Sequence, residues 1–139
     1  MARHLIAAAA TVAALAAAAA CGGSSSPPAP SGSTGSSTNC TAGSTSTTTT
    51  ILAGGTACPQ AITVARGSQV TFVNNDSVAH EMYSDPHPEH TDCLELNQVG
   101  HLEPTQNKQT GNLNIARTCG FHDHIRPDAA GLKGRITIQ

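Results

Sequence analysis

Between Gly22 and Thr50 the chain is almost only Ser, Thr, Gly, Pro and Ala, with no charged and no large apolar residue. Such a stretch cannot bury enough surface to offset the entropy of ordering it, so folding is confined to the residues beyond Thr50. Residues 21–50 read as a flexible, disordered linker, which leaves residues 51–139 as one small domain. A domain of that size is near the lower limit for a self-sufficient core, and a metal or a disulfide is expected to help hold it. Upstream, Arg3 precedes an uncharged apolar run from Leu5 to Ala20, short for a membrane span and followed by small polar residues. Residues 1–20 therefore read as a secretory signal, and the domain as exported to a compartment where disulfides persist.

The nine acidic residues outnumber the seven Lys and Arg, and every one of these charges except Arg3 lies in the folded part. There is no basic stripe, and the aromatics are only Phe72, Tyr83 and Phe121. That composition gives no support to nucleic-acid binding through a charged face or a stacking platform. No nucleophile–base pair or paired carboxylates stand at a plausible spacing, so the chain is not expected to be an enzyme.

Within the domain, Ala61–Ala65 and Gln69–Val73 alternate apolar with polar residues, separated by the turn Arg66-Gly67-Ser68. Asn74-Asn75-Asp76 is a second turn cluster, Asn112–Thr118 reads as a further strand, and Arg135–Ile138 as a last one. No stretch has helical periodicity. Short strands with Gly and Asn turns predict an all-β fold, a sandwich or barrel. The exception is Ser84–Gly100, where Asp85-Pro86-His87-Pro88 breaks any strand and a long loop is expected.

Two segments carry chemistry. Cys119-Gly120-Phe121-His122-Asp123-His124 places a thiol and an imidazole three residues apart at the expected end of a strand, and His80 ends a similar strand upstream. Two His and one Cys on a β-scaffold are the ligand set of a blue-copper site, so His80, Cys119 and His122 are the candidate copper ligands. Cysteine parity offers another reading. After Cys21 the chain holds Cys40, Cys58, Cys93 and Cys119. Pairing as Cys40–Cys58 and Cys93–Cys119 would leave no thiolate, whereas Cys58–Cys93 would leave Cys119 free.

The stretches Ala61–His80 and Asn112–Gln139 resemble the beginning and the end of a cupredoxin domain of the plastocyanin-like, blue-copper kind. The first runs strand, Gly turn, strand, Asn-Asn-Asp, then His80; the second runs a strand into Cys-x-x-His, a loop, Gly131-Leu132-Lys133-Gly134 and a last strand. The resemblance implies a Greek-key sandwich holding one type 1 copper ion between loops at one end. It also implies single-electron exchange with a redox partner, or with a copper donor or acceptor protein. In that family the Gly-Met-Lys-Gly segment holds an axial Met; here Leu132 takes the axial place and donates nothing. Separately, Ala18-Ala19-Ala20-Cys21 resembles a bacterial lipoprotein cleavage site, which implies lipidation at Cys21 and a periplasmic or cell-envelope location, with the lipid as the sole membrane attachment.

Six of the seven His lie between His80 and His124, more than a simple electron carrier needs. His87 and His90 sit in the Pro-containing loop, and His124 offers an alternative second imidazole. These three, with Met82 as a nearby sulfur, are candidate ligands for a second, labile ion. A copper handling or storage module that uses the His-rich loop, with Cys93–Cys119 as a structural disulfide, is the alternative to electron transfer.

Overall fold

The computed structural model describes Cys40 and residues 43–139. The expected signal segment 1–20, Cys21 and most of the expected linker 21–50 lie outside the described residues. Among those described, no helix is long and apolar enough to cross a membrane.

Among the described residues ten short strands form two sheets, several of the strands rich in β-branched residues. In chain order these are β1 Gly43–Ser44, β2 Thr48–Leu52, β3 Thr56–Cys58, β4 Ala61–Val64, β5 Thr71–Asn74, β6 His80–Ser84, β7 Gly100–Leu102, β8 Asn107–Gln109, β9 Arg117–Asp123 and β10 Gly134–Ile138. One sheet runs β1-β4-β10-β9-β6-β7 and the other β3-β2-β5-β8. The expected sandwich is thus the fold. Its start differs from the expected boundary at residue 51, because β2 begins at Thr48 and β1 at Gly43. Thr is itself a good strand former, and Thr48–Thr50 pair in parallel with Thr71–Val73 of β5.

The core lies between the sheets. Phe72 of β5 meets Phe121 of β9 edge-on, with ring centroids 5.2 Å apart, and Ile51, Ile62, Met82, Leu102, Leu132 and Ile136 pack around them. Two disulfides close the domain: Cys40–Cys58, which ties the chain ahead of β1 to the end of β3, and Cys93–Cys119, buried in the core. Fully buried thioether and isobutyl groups at Met82 and Leu132 serve as core filling, and Met82 is not brought to the His-rich loop.

One strand differs from expectation in a way that decides the site. Residues 112–116 form no strand beyond the single bridge of Leu113 to Ser68, and β9 runs instead from Arg117 through Asp123. It pairs antiparallel with β10 on one side and with β6 on the other, Met82 opposite Asp123 and Tyr83 opposite His122. Cys119 and His122 therefore lie within a strand, not in the loop after one.

Candidate metal centre

Side chains alternate across a strand, so residues three apart face opposite ways. On β9, Cys119, Phe121 and Asp123 turn inward, as the Phe72–Phe121 contact requires, while Thr118, Gly120 and His122 turn to the outer face. On β6, His80, Met82 and Ser84 are the inward set, and Tyr83 stands outward beside His122. The expected ligand set is thereby divided. Cys119 is bonded to Cys93, His80 is buried on the inner side, and His122 stands on the other face of the sheet. These three residues are not brought together, and the sulfur that a blue-copper centre needs is engaged in a disulfide.

His80 meets a different group. Its Nδ1 lies 2.9 Å from Asp123 Oδ2 and its Nε2 3.3 Å from Asp76 Oδ2. The Arg126 guanidinium is 3.1 and 3.4 Å from the two ring nitrogens and pairs with Asp123, Nε to Oδ2 3.5 Å. Both ring nitrogens already have polar side-chain partners. Asp123 Oδ1 also accepts the backbone N–H groups of Glu81 at 3.0 Å and Ile125 at 3.2 Å, so this inward carboxylate is fully occupied. The Ser77 N–H, foremost, holds the Asp76 carboxyl below the usual carboxylate range. Asp123 and Arg126 stand three apart, the same spacing as Cys119 and His122 four residues earlier. The partners that reach His80 are thus two carboxylates and a part-exposed guanidinium, and a guanidinium set against the ring nitrogens does not fit a copper ion.

The outer face is where imidazoles converge. His87 and His90 arrive on the loop after β6, His122 on β9 and His124 just beyond it. Each offers one nitrogen, and these four nitrogens all lie within 4.8 Å of one another. His124 Nδ1 and His90 Nε2 are 3.1 Å apart. Two ligand nitrogens on one ion at about 2.0–2.1 Å in a tetrahedral arrangement stand about 3.3 Å apart, so this edge is already near coordination geometry. Tyr83 stacks on His90, centroids 4.6 Å and planes 11° apart, and meets His124 edge-on at 5.7 Å.

The loop is fixed at both ends of this cluster. Cys93 anchors it three residues after His90, and Asn97 Nδ2 donates to the His90 carbonyl at 2.8 Å. Asp85 accepts a hydrogen bond from His122 Nδ1 at 2.7 Å. The His122 side chain is buried, and its Nε2 has no hydrogen-bond partner among the described residues. A buried lone pair without a partner is costly in a closed protein and is what a cation would satisfy. Burial, followed by the positive forms of His122, His124 and His87, holds His90 below its ordinary pKa, which favours the neutral imidazole that ligates.

Of the residues singled out in the sequence, the structure gathers His87, His90, His122 and His124 and leaves His80, Met82, Cys119 and Leu132 inside the core. Tyr83, Asp123 and Arg126 are members of these clusters that the sequence reading did not single out, and the repeated three-residue spacing is a signal for the last two. Asp85 stands beside His87 and His90 in the Pro-containing loop of the sequence, but only the folded loop brings it to His122.

No protein-family model matches the sequence, and a search of curated proteins finds no match. Solved structures do match. A purple cupredoxin from Nitrosopumilus maritimus superposes with TM-score 0.52 at 18% identity, over 66% of this chain and 98% of that one. Oxidized plastocyanin from Dryopteris crassirhizoma gives TM-score 0.52 at 21% identity, over 66% and 99%. A reduced amicyanin variant gives 0.51 at 16%, over 66% and 80%. Likeness at such identities bears on architecture, and it agrees with the strand order above: the described domain is a β-sandwich of the cupredoxin-like fold.

Proposed function

We propose that this chain is an exported copper-handling protein, tethered through Cys21 and its linker, that carries one divalent ion on His87, His90, His122 and His124. The observation behind this reading is the set of four imidazole nitrogens within 4.8 Å of one another. Imidazoles accept copper, zinc, nickel and iron, and among divalent ions of the first row copper binds such nitrogen sites most tightly. Neutral imidazoles can also release an ion to a competing ligand, which suits storage and delivery more than a permanent redox centre. The ion here is cargo, and the chain is not an enzyme in this reading.

Single-electron transfer through His80, Cys119 and His122 has less support, since Cys119 is half of a disulfide and His80 is held by Asp76, Asp123 and Arg126. Titration of the full chain with Cu(II) separates the two. Handling by imidazoles predicts one equivalent bound, an electron paramagnetic resonance spectrum with nitrogen couplings, and no intense thiolate-to-copper visible band. Binding is lost in His87→Ala/His90→Ala. An intense visible band that disappears in Cys119→Ser would restore the electron carrier and end the present proposal.

A further inference from the structure

We infer that Asp85 is the positioning residue of the four-imidazole site, setting which nitrogen His122 presents to a divalent borderline ion, and that Gly120 is the space that lets it do so. This rests on the metal-handling reading above and deepens it. Asp85 follows β6 directly, and its backbone is held on both sides: its N–H donates to the Gly120 carbonyl at 3.1 Å and its carbonyl accepts from Asp92 N–H at 2.8 Å. The Asp92 carboxylate in turn accepts the Gly120 N–H at 2.9 Å. The Asp85 side chain is thereby aimed across Gly120 at His122.

A carboxylate only accepts hydrogen bonds, so the 2.7 Å contact of Asp85 Oδ1 requires the hydrogen on His122 Nδ1. The lone pair is then on Nε2, the atom that is buried without a partner. A free imidazole in water would divide its hydrogen between the two nitrogens; here one carboxylate fixes the ligating form. Gly120 is needed for the same reason. A Cβ at that position would run into Asp85 Oδ2 and come within 2.8 Å of its Cγ, so any side chain there displaces the carboxylate. The outer-face neighbour two residues before the ligand is a glycine because a carboxylate occupies that volume.

The test uses the full-length protein without metal and with Zn(II), which is diamagnetic and taken by the same donors. Long-range nitrogen–proton NMR correlations report the His122 tautomer, and chelator competition reports affinity. The parent is expected to show the hydrogen on Nδ1 in the metal-free state. Asp85→Ala and Gly120→Ala should both release that tautomer into a mixture and weaken Zn(II) binding by about 10- to 100-fold. Asp85→Asn keeps an accepting oxygen and should retain the tautomer with a smaller loss of affinity. Gly120→Ala leaves every charge in place, so agreement between it and Asp85→Ala excludes a simple loss of negative charge. A parent-like tautomer and affinity in Asp85→Ala would overturn the inference. If the parent binds no Zn(II) or Cu(II), while Asp85→Ala still shifts the metal-free tautomer, positioning stands and the metal-handling reading falls.

Discussion

Replacing Cys93 and Cys119 together by Ala tests the feature on which the two functional readings part. The half-cystines are separated by 26 residues, and releasing a loop of that length returns about 12 cal/mol/K of entropy to the unfolded chain, about 3.5 kcal/mol at 25 °C. Both sulfurs are fully buried, so two small cavities add to that loss. Ala is the better replacement, because Ser would bury two hydroxyls without partners at about 1–3 kcal/mol each and confuse the result. For a domain of this size the change corresponds to a fall of roughly 15–25 °C in Tm. Denaturant unfolding of the parent and the double variant measures it, alongside a thiol assay of the denatured, unreduced parent, which should find no free thiol among Cys40, Cys58, Cys93 and Cys119. A loss under about 1 kcal/mol, or one titratable thiol at Cys119 in the parent, would refute the assignment of this sulfur to the core and reopen it as a ligand.

Three further outcomes rest on named contacts. Asp123→Ala should destabilise by about 3–5 kcal/mol in denaturant unfolding, since it removes the buried partner of His80 and of two backbone donors; a loss under about 1 kcal/mol would mean the network is not closed as described. Gly134→Ala should impair folding, seen as loss of a cooperative unfolding transition, because a Cβ there would collide with the Gln60 carbonyl and the Phe121 ring; a stable alanine variant would show that β10 can move away. Glu103 foremost, with Glu81, holds His101 above its ordinary pKa of 6.5. A raised folded value means that this pair's stabilisation is fully present below about pH 6.5 and is lost as pH rises through the folded value. Proton NMR titration of His101 should therefore give a midpoint above that of a free His, moved down in Glu103→Gln; no movement would remove Glu103 as the cause.

The fold was legible where burial obeys a simple rule. Arg135–Ile138 alternates cleanly and faces the core on one side, and Ala61–Ala65 contains β4, whose Ile62 and Val64 face the core. The expected strand at Asn112–Thr118 begins five residues ahead of β9, because the last residue of β9 is a carboxylate turned inward. Asp123 in a core position looks like a loop residue until His80, Arg126 and the Glu81 N–H are found around it. That single displacement moves Cys119-x-x-His122 from a loop into a strand and splits the expected ligands between two faces. The four-His cluster was only half visible. The His residues could be counted in the sequence, but their convergence depends on the path of the loop from Asp85 to Cys93, which no local pattern encodes. The edge strands β1, β3, β7 and β8 were missed because two- and three-residue strands are too short to alternate.

The direction of the strands has a practical corollary. Gly43 pairs beside Ala61, Ala61 beside Arg135, and Gly134 opposite Phe121, so the chain enters the domain at the end of the large sheet where His122 and His124 lie. β10 runs away from that end, and Gln139 leaves beside Val64 and Arg66 at the far one. A surface or fusion partner joined ahead of Cys40 therefore begins on the imidazole side, whereas one joined at Gln139 begins a full strand length away. Immobilisation through the C-terminus leaves the imidazoles facing solution, and a comparison of metal uptake between the two attachments reads the polarity of the domain directly.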